Sequence, residues 1–209
     1  MVPPVVLLLG FLALTALLLV MLMGRPSLTH APGGKMIAFL GIFLLPALAV
    51  FAGAMDHMER SKQTSFCLSC HVMEQYGKSL HVDDFEFIPA VHYQNNYVPR
   101  DEACYTCHTD YVMYGTIRSK MRGMRHVMVQ FFGTIPDTIK LYTPYNNREC
   151  LHCHGGARKF LNASGHKSEE GLLTAIISGK RSCMELGCHD VAHNVSELAD
   201  ASFWKEGAP

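Results

Sequence analysis

The amino-acid sequence predicts a mainly α-helical protein with much irregular structure, in which two transmembrane helices precede one small domain. Two uncharged apolar stretches stand near the amino terminus, and few long apolar runs follow them. The 209 residues include eight cysteines and twelve histidines, and every cysteine follows the apolar stretches. The predicted order is a first transmembrane helix at 1–24, a loop at 25–35, a second transmembrane helix at 36–56, a small domain at 57–195 and a polar tail at 196–209.

Each apolar stretch is long enough to cross a membrane. At a rise of about 1.5 Å per residue, about twenty residues span a hydrocarbon core of about 30 Å. A cleaved signal peptide is the alternative for the first stretch, but it needs a basic residue before its apolar run. Here the first charged residue, Arg25, comes after the run, so we expect a retained helix. Pro46 lies within the second stretch and is expected to kink it.

The charges flanking these helices predict their orientation. The loop between them contains Arg25 and Lys35 and no acidic residue, so the positive-inside rule places it in the cytoplasm. The small domain then lies on the periplasmic, extracytoplasmic side of the cytoplasmic membrane of a prokaryote. The 18 basic and 18 acidic residues of the chain cancel, and nothing indicates a nucleic-acid partner.

The cysteines occur in a repeated pattern that indicates c-type haem. Three segments have the spacing C-x-x-C-H, and a fourth keeps both cysteines and the histidine with four residues between the thiols. In this attachment sequence the thiols bind the porphyrin covalently and the adjacent histidine binds the iron. We therefore predict four haem c groups, at Cys67, Cys70 and His71; at Cys104, Cys107 and His108; at Cys150, Cys153 and His154; and at Cys183, Cys188 and His189.

Zinc sites and disulfides are the competing interpretations of eight cysteines. Neither explains why a histidine follows every cysteine pair. Haem also accounts for the sparse apolar runs of the domain, because large flat porphyrins supply buried surface that the side chains do not. The segments between the motifs are accordingly predicted to be short helices and loops wrapped around four haems, with little sheet.

Several segments resemble the NapC/NirT/NrfH family of membrane-anchored tetrahaem quinol dehydrogenases. The resemblance covers about residues 60 to 195, and the signature C-x-x-C-H-x-M is its most specific part. The segments that carry it are Phe66 to Glu74, His92-Tyr-Gln-Asn95, Tyr145-Asn-Asn-Arg-Glu-Cys150, Gly179-Lys180 and Cys188 to His193.

The resemblance implies second ligands for the haem irons. It assigns Met73 to the first haem and Lys120 to the second, whereas His92 and His193 serve later haems. His81 competes with His92, and His126 competes with Lys120. The other histidines are expected to be ordinary packing or surface residues: His152, His166 and His57, although His57 stands where it could also contact quinol.

The function that the resemblance implies is electron transfer from the quinol pool to an extracytoplasmic reductase or carrier. Membrane lipid and quinone would be its small partners, and a carboxylate or histidine would accept the protons that quinol releases. The candidates for that quinol site are Asp56, His57, Glu59, Asp83 and Asp84.

Three departures from the family pattern leave alternatives open. The chain has two predicted transmembrane helices where the family typically has one, a longer spacer in its last motif, and His193 only four residues after His189. The extra helix favours an electron-relay subunit of a larger respiratory or photosynthetic membrane complex, in contact with a partner multihaem cytochrome. A reductase of small nitrogen or sulfur oxides is a third hypothesis, and it would require an iron with an open position.

Overall fold

The structure is a computed structural model that describes residues 2–136, 139, 145–185, 187–189 and 193–204. The chain divides into two compact units, Met1–Phe66 and Cys67–Pro209, and each is described separately.

The first unit consists of two long apolar helices. Helix α1 (Pro4–Gly24) and helix α2 (Gly34–Arg60) are each long and apolar enough to cross a membrane, as the sequence predicts. A 3-10 turn, Pro26–His30, lies between them. Helix α2 continues past the predicted end at residue 56, because its polar last turn is stabilised by an ion pair of 2.7 Å between Asp56 and Arg60.

Helices α1 and α2 form an antiparallel hairpin with small residues at its interface. Gly41 lies beside Leu18, and a Cβ added to it would be 3.0 Å from the Leu18 Cβ. Gly53, further along α2, lies beside Leu8 near the start of α1. Glycine allows two helices to approach closely where lipid offers no hydrophobic driving force between them.

The proline of α2 is accommodated by a change of helix type. Residues Leu40–Leu44 form a π-helical segment, and the Leu45 amide donates to the carbonyl of Leu40. Proline has no N–H to donate, and its ring clashes with the carbonyl four residues earlier, which for Pro46 is that of Ile42. The wider π turn contains Ile42, so the predicted perturbation at Pro46 takes the form of a π segment.

The second unit is built from short helices and irregular segments, as predicted. The sheet content of its described residues is one isolated antiparallel bridge, between Val82 and Phe203. The α-helices, of which α3 crosses the boundary between the units, are α3 (Thr64–Cys67), α4 (Glu74–Lys78), α5 (Ile88–Gln94), α6 (Ala103–His108), α7 (Gly115–Phe132), α8 (Asn147–His154), α9 (Arg158–Asn162) and α10 (Leu172–Ile177). The 3-10 turns are His71–Met73, Ser79–His81, Arg100–Glu102, Gly165–Lys167 and Val195–Glu197.

The side-chain core of this unit is small. Its buried cluster is formed by Val82, Ala90 and Leu198, with three half-buried apolar residues packed around it: Phe87, Val195 and Ala201. A domain of this length normally buries a much larger apolar core. The second unit therefore has a fold in which side chains alone bury little surface.

The described part of the predicted polar tail is a structural element. The amide of Trp204 donates to the carbonyl of His81 at 2.7 Å, and the amide of Asp83 donates to Ser202 at 2.8 Å. The Trp204 ring stacks on His81 with centroids 6.2 Å apart. Leu198 is buried in the core cluster. The described residues of the predicted polar tail, 196–204, are therefore attached to the domain by the side chains of Leu198 and Trp204.

Asn147 links the segments that carry the third and fourth motifs. Its buried side-chain amide donates to the carbonyls of Ile176 and Arg181, each at 2.7 Å. Its side-chain oxygen accepts from the amide of Cys183 at 2.9 Å. The start of α8 thus holds the first cysteine of the fourth motif through one side chain.

Replacing Asn147 with alanine should destabilise the second unit measurably. The substitution leaves three backbone groups without their partner, and each buried polar group left unsatisfied costs about 1–3 kcal/mol. We expect the midpoint of chemical denaturation of the detergent-solubilised protein to fall by the equivalent of at least about 2 kcal/mol.

The matched control for this variant is Asn146→Ala. Asn146 is exposed, and its side chain accepts a hydrogen bond from the amide of Arg148 at the start of α8. Loss of such a cap costs about 1 kcal/mol. Equal midpoints for the two variants would contradict the role assigned to Asn147.

Candidate functional site

The four cysteine–histidine segments lie on short helices and turns of the second unit. The second motif occupies α6 and the third occupies the carboxyl end of α8. On a helix, residues three apart share a face, so both thiols of each motif are presented on the same side. The first motif ends in the 3-10 turn His71–Met73, and the fourth lies in irregular chain whose residue 186 is outside the described part.

The structure gives no support to disulfides or to a bare metal centre. All eight cysteines are free. Within the described ranges, no three His, Cys, Asp or Glu side chains converge as a metal-ion site. The spacing of each motif remains the reason to expect covalent haem attachment.

Three of the four motif histidines face a second histidine ring. In each pair a histidine from elsewhere in the chain lies opposite the histidine that follows a cysteine pair. The ring centroids are 5.9 Å apart for His92 and His154, 6.3 Å for His108 and His193, and 6.4 Å for His166 and His189.

These separations fit an iron between the two rings. Two imidazoles bonded to one metal from opposite sides, each at about 2 Å, have ring centroids about 6 Å apart. Each pair contains one ring whose position is fixed by its attachment motif. The residues present therefore suit a haem iron with two axial histidines at three of the four motifs.

The three histidines from outside the motifs are each oriented by a hydrogen bond at Nδ1. Nδ1 of His92 donates to the carbonyl of Ile88 at 2.8 Å, and Nδ1 of His166 donates to the carbonyl of Phe160 at 2.9 Å. Nδ1 of His193 lies 2.7 Å from the hydroxyl of Ser79. Such a bond fixes the ring and leaves Nε2 as the metal-binding nitrogen.

The hydroxyl of Ser79 determines which nitrogen of His193 is protonated. Ser79 is fully buried, and its hydroxyl donates to the carbonyl of Tyr76 at 2.6 Å. Since a hydroxyl has one proton, its oxygen must accept the N–H of Nδ1. Burial lowers the pKa of His193 to about 4, which favours the neutral imidazole that a metal requires.

The pKa of His154 shifts in the same direction. Burial is the main cause, and the charges of His92 and His189 lower the pKa further. Neutral imidazole is the form that binds a metal. The surroundings of His154 and His193 therefore both favour iron ligation.

The first motif has a different environment. The side chain of His71 is 93% exposed, and its Nδ1 lies 3.2 Å from the Glu74 carboxylate. Met73 is half-buried in the same 3-10 turn. Among the described residues, no second histidine ring faces His71, so the first motif differs from the other three in its geometry.

Lys120, His81 and His126 are the remaining ligand candidates, and burial and then the charge of His126 lower the pKa of His108 in the second motif. The Lys120 amino group lies 4.7 Å above the ring of Tyr105, within the second motif. His81 packs between Tyr93 and Trp204, with centroids 5.3 and 6.2 Å away. His126 lies on α7, where burial and then the charge of Arg125 lower its pKa.

The quinol-site candidates belong to both units. In the first unit, Asp56 forms an ion pair with Arg60, Glu59 forms one with Lys62 at 2.7 Å, and the His57 ring meets Phe66 edge to face at 5.9 Å. In the second unit, Asp83 and Asp84 precede α5, and the Asp84 carboxylate accepts the amide of Glu86 at 2.8 Å.

His166 and Ser79 are the residues that sequence reasoning missed. His166 was expected to be an ordinary polar residue, whereas its ring faces that of His189. No fixed sequence spacing connects His166 with His189. The only signal in the sequence was that each haem iron requires a second axial ligand. His152, by contrast, stacks on Tyr111 at 3.8 Å, in agreement with a packing role.

Comparison with known proteins identifies the family. The pattern of the NapC/NirT cytochrome c family, N-terminal region, matches residues 33–198. The cytochrome c-type protein NapC of Escherichia coli (strain K12) is 21% identical over 182 residues, which cover 79% of this chain and 82% of that protein. The cytochrome c-type protein NapC of Haemophilus influenzae is 22% identical over 158 residues, covering 68% and 72%.

No solved structure matches the chain. The family pattern nevertheless covers well over half of it and includes all four cysteine–histidine segments. Two helices of membrane-spanning length agree with the anchored architecture that the sequence predicts. The chain therefore belongs to the NapC/NirT cytochrome c family, and it is a membrane-anchored electron-transfer cytochrome that binds haem c covalently.

Proposed function

We propose that this cytochrome takes electrons from the quinol pool and passes them, through four haems on the periplasmic side, to an extracytoplasmic reductase or carrier. Haem supplies the one-electron redox chemistry that links a two-electron quinol to single-electron acceptors. The protein holds, orients and shields that group, and it receives the protons of quinol oxidation.

The contrast between the first motif and the other three supports this proposal. A second histidine ring faces the motif histidine at three of the motifs, whereas His71 is exposed and has no such partner among the described residues. The seven residues from Arg60 to Cys67 can span at most about 25 Å, so the first motif remains near the end of α2 whatever their conformation. A donor dissolved in the membrane would reach this motif first.

The facing pairs also assign the second ligands. We infer that His193 serves the iron at His108, that His92 serves the iron at His154, and that His166 serves the iron at His189. Lys120 is then not required at the second motif. Met73 remains the proposed ligand at the first motif, beside His71.

His57 is the proposed proton acceptor in the first unit. Its neighbours Asp56 and Glu59 are each engaged with a cation one turn away. The imidazole of His57 is packed against Phe66, near the end of the apolar helix. A histidine can accept a proton near neutral pH, which suits the proton release that accompanies quinol oxidation.

Reduction by quinol is the direct test of the proposed function. The full chain in detergent should be reduced rapidly by a menaquinol or ubiquinol analogue, as followed by the haem α-band. Met73→Leu should slow the initial rate by about tenfold or more, since loss of an oriented metal-site group typically costs that much.

Met113→Leu is the matched control, because Met113 is 81% exposed and lies outside every motif. It should be reduced at the rate of the unmodified protein. Reduction by dithionite but by no quinol would contradict the proposal. That outcome would favour the relay subunit of a larger complex, for which the second spanning helix would supply a docking surface.

The ligand assignment is tested by His166→Ala. Loss of one axial histidine should convert the iron opposite His189 from low spin to high spin. Electron paramagnetic resonance of the oxidised protein and carbon monoxide binding to the reduced protein would both detect the change. His81→Ala is the control and should leave every haem low spin. An unchanged low-spin spectrum for His166→Ala would exclude His166 as a ligand.

The role of Ser79 is tested by potentiometry. In Ser79→Ala the Nδ1–H of His193 loses its buried acceptor, so the imidazole donates less electron density to the iron. The reduction potential of one haem should rise while the others remain constant. Ser178→Ala is the control, because it removes an exposed hydroxyl that donates to the Ala175 carbonyl. It should shift the reduction potential of no haem. Identical titrations of the two variants would disprove the assignment.

A further inference from the structure

Helix α7 is the longest helix of the second unit, and it carries an exposed apolar stripe. The stripe consists of residues three or four apart, which share one side of a helix. Their side chains are 46 to 82% exposed: Ile117 56%, Met121 67%, Met124 54%, Val127 46%, Met128 52%, Phe131 73% and Phe132 82%. A contiguous apolar surface on this scale marks an interaction site.

The described contacts of α7 with α6 leave the helix near one edge of the stripe. Lys120, whose amino group lies 4.7 Å from the Tyr105 ring, stands between Val127 and Phe131 around the helix. Gly115 is buried, and the hydroxyl of Thr116 accepts a hydrogen bond from Tyr105 at 2.9 Å. Thr116 lies about 120° around the helix from Met128 and about 140° from Met121, at about 100° per residue. The part of the stripe that carries Met121, Met128 and Phe132 therefore points away from the side on which α6 packs.

The charges of α7 have a single sign. Its 18 residues include Arg118, Lys120, Arg122 and Arg125 and no aspartate or glutamate. Arg118 and Arg122 approach the buried carboxylate of Asp110 at 3.5 and 3.9 Å, and their side chains remain 63 and 41% exposed. The three arginines follow the apolar stripe along one flank of the helix.

We propose that α7 lies in the surface of the membrane, with its apolar stripe among the lipid acyl chains and its arginines on anionic headgroups. A basic helix with a continuous apolar face is the form that binds in the plane of a bilayer. Exposed Tyr114 at its start and Phe131 and Phe132 at its end place aromatic rings where interfacial helices carry them. Helices α1 and α2 keep lipid close to the domain at all times.

The contact would orient the second unit on the membrane. Helices α1 and α2 anchor the chain at a single place, ahead of the first motif. A second attachment to the same surface acts at high effective concentration, so even weak lipid binding would fix that orientation. The inference depends on membrane anchoring and is independent of whether quinol is the electron donor.

Thiol labelling of the full haem-loaded chain in lipid vesicles tests the proposal. Single cysteines are introduced as Met128→Cys, in the stripe, and Gln130→Cys, exposed and about 160° around the same helix. The native cysteines are held by haem, and the unmodified protein measures any background. A membrane-impermeant maleimide should label position 128 roughly tenfold more slowly than position 130 in vesicles of phosphatidylcholine with phosphatidylglycerol.

The lipid composition separates the membrane from other ways of covering the stripe. In phosphatidylcholine alone, or at high salt, the protection of position 128 should decrease, because headgroup attraction is screened or absent. Equal labelling of both positions in anionic vesicles would overturn the proposal and would indicate a protein partner that the vesicles lack. Protection that is identical in both lipids and at both salt concentrations would also overturn it, since the haem domain itself would then cover the stripe.

Arg125→Gln provides an independent measure of the headgroup contact. Removal of one arginine should lower the protection of position 128 in anionic vesicles by roughly fivefold, the size expected for one basic residue at such a surface. The same substitution should have no effect in phosphatidylcholine alone. An unchanged protection in anionic vesicles would contradict the electrostatic part of the proposal.

Discussion

The separation of facing imidazole rings is the constraint on which the second unit depends. An iron bound from both sides requires two ring nitrogens at opposite ends of a short line, and three pairs in this chain satisfy it at 5.9 to 6.4 Å. One member of each pair is tied to a cysteine motif. The other member comes from a different segment, so each pair joins parts of the chain that no hydrophobic cluster joins.

This constraint explains why the side-chain core can be small. The buried cluster around Val82, Ala90 and Leu198 would hardly stabilise a domain of this length alone. Side-chain hydrogen bonds supplement this apolar cluster. Asn147 connects the third and fourth motifs, and Ser79 connects α4 to His193. Covalently attached haem, which the family implies, would supply buried surface in place of much of the apolar packing that ordinary domains use.

Features whose determinant is local could be predicted from the sequence, whereas contacts between distant segments could not. The cysteines and motif histidines follow a fixed spacing, and the apolar helices follow length and charge, so both were predictable. The pairing of His166 with His189, or of His193 with His108, depends on which segments meet in space. The packing of the tail on the domain was likewise not predictable, because Leu198, Phe203 and Trp204 are too few apolar residues to form a pattern in a polar stretch.

The large sequence separation between Ser79 and His193, which share a hydrogen bond, has a consequence for the order in which the protein can fold during synthesis. These residues are 114 positions apart, and the chain is synthesised from its amino terminus. The environment of the second motif remains incomplete until His193 has been made, and the backbone bridge that joins Val82 to Phe203 until Phe203 has been made. The site of the second motif must therefore await a segment made much later, and a chain that terminates before His193 would leave that site unfinished.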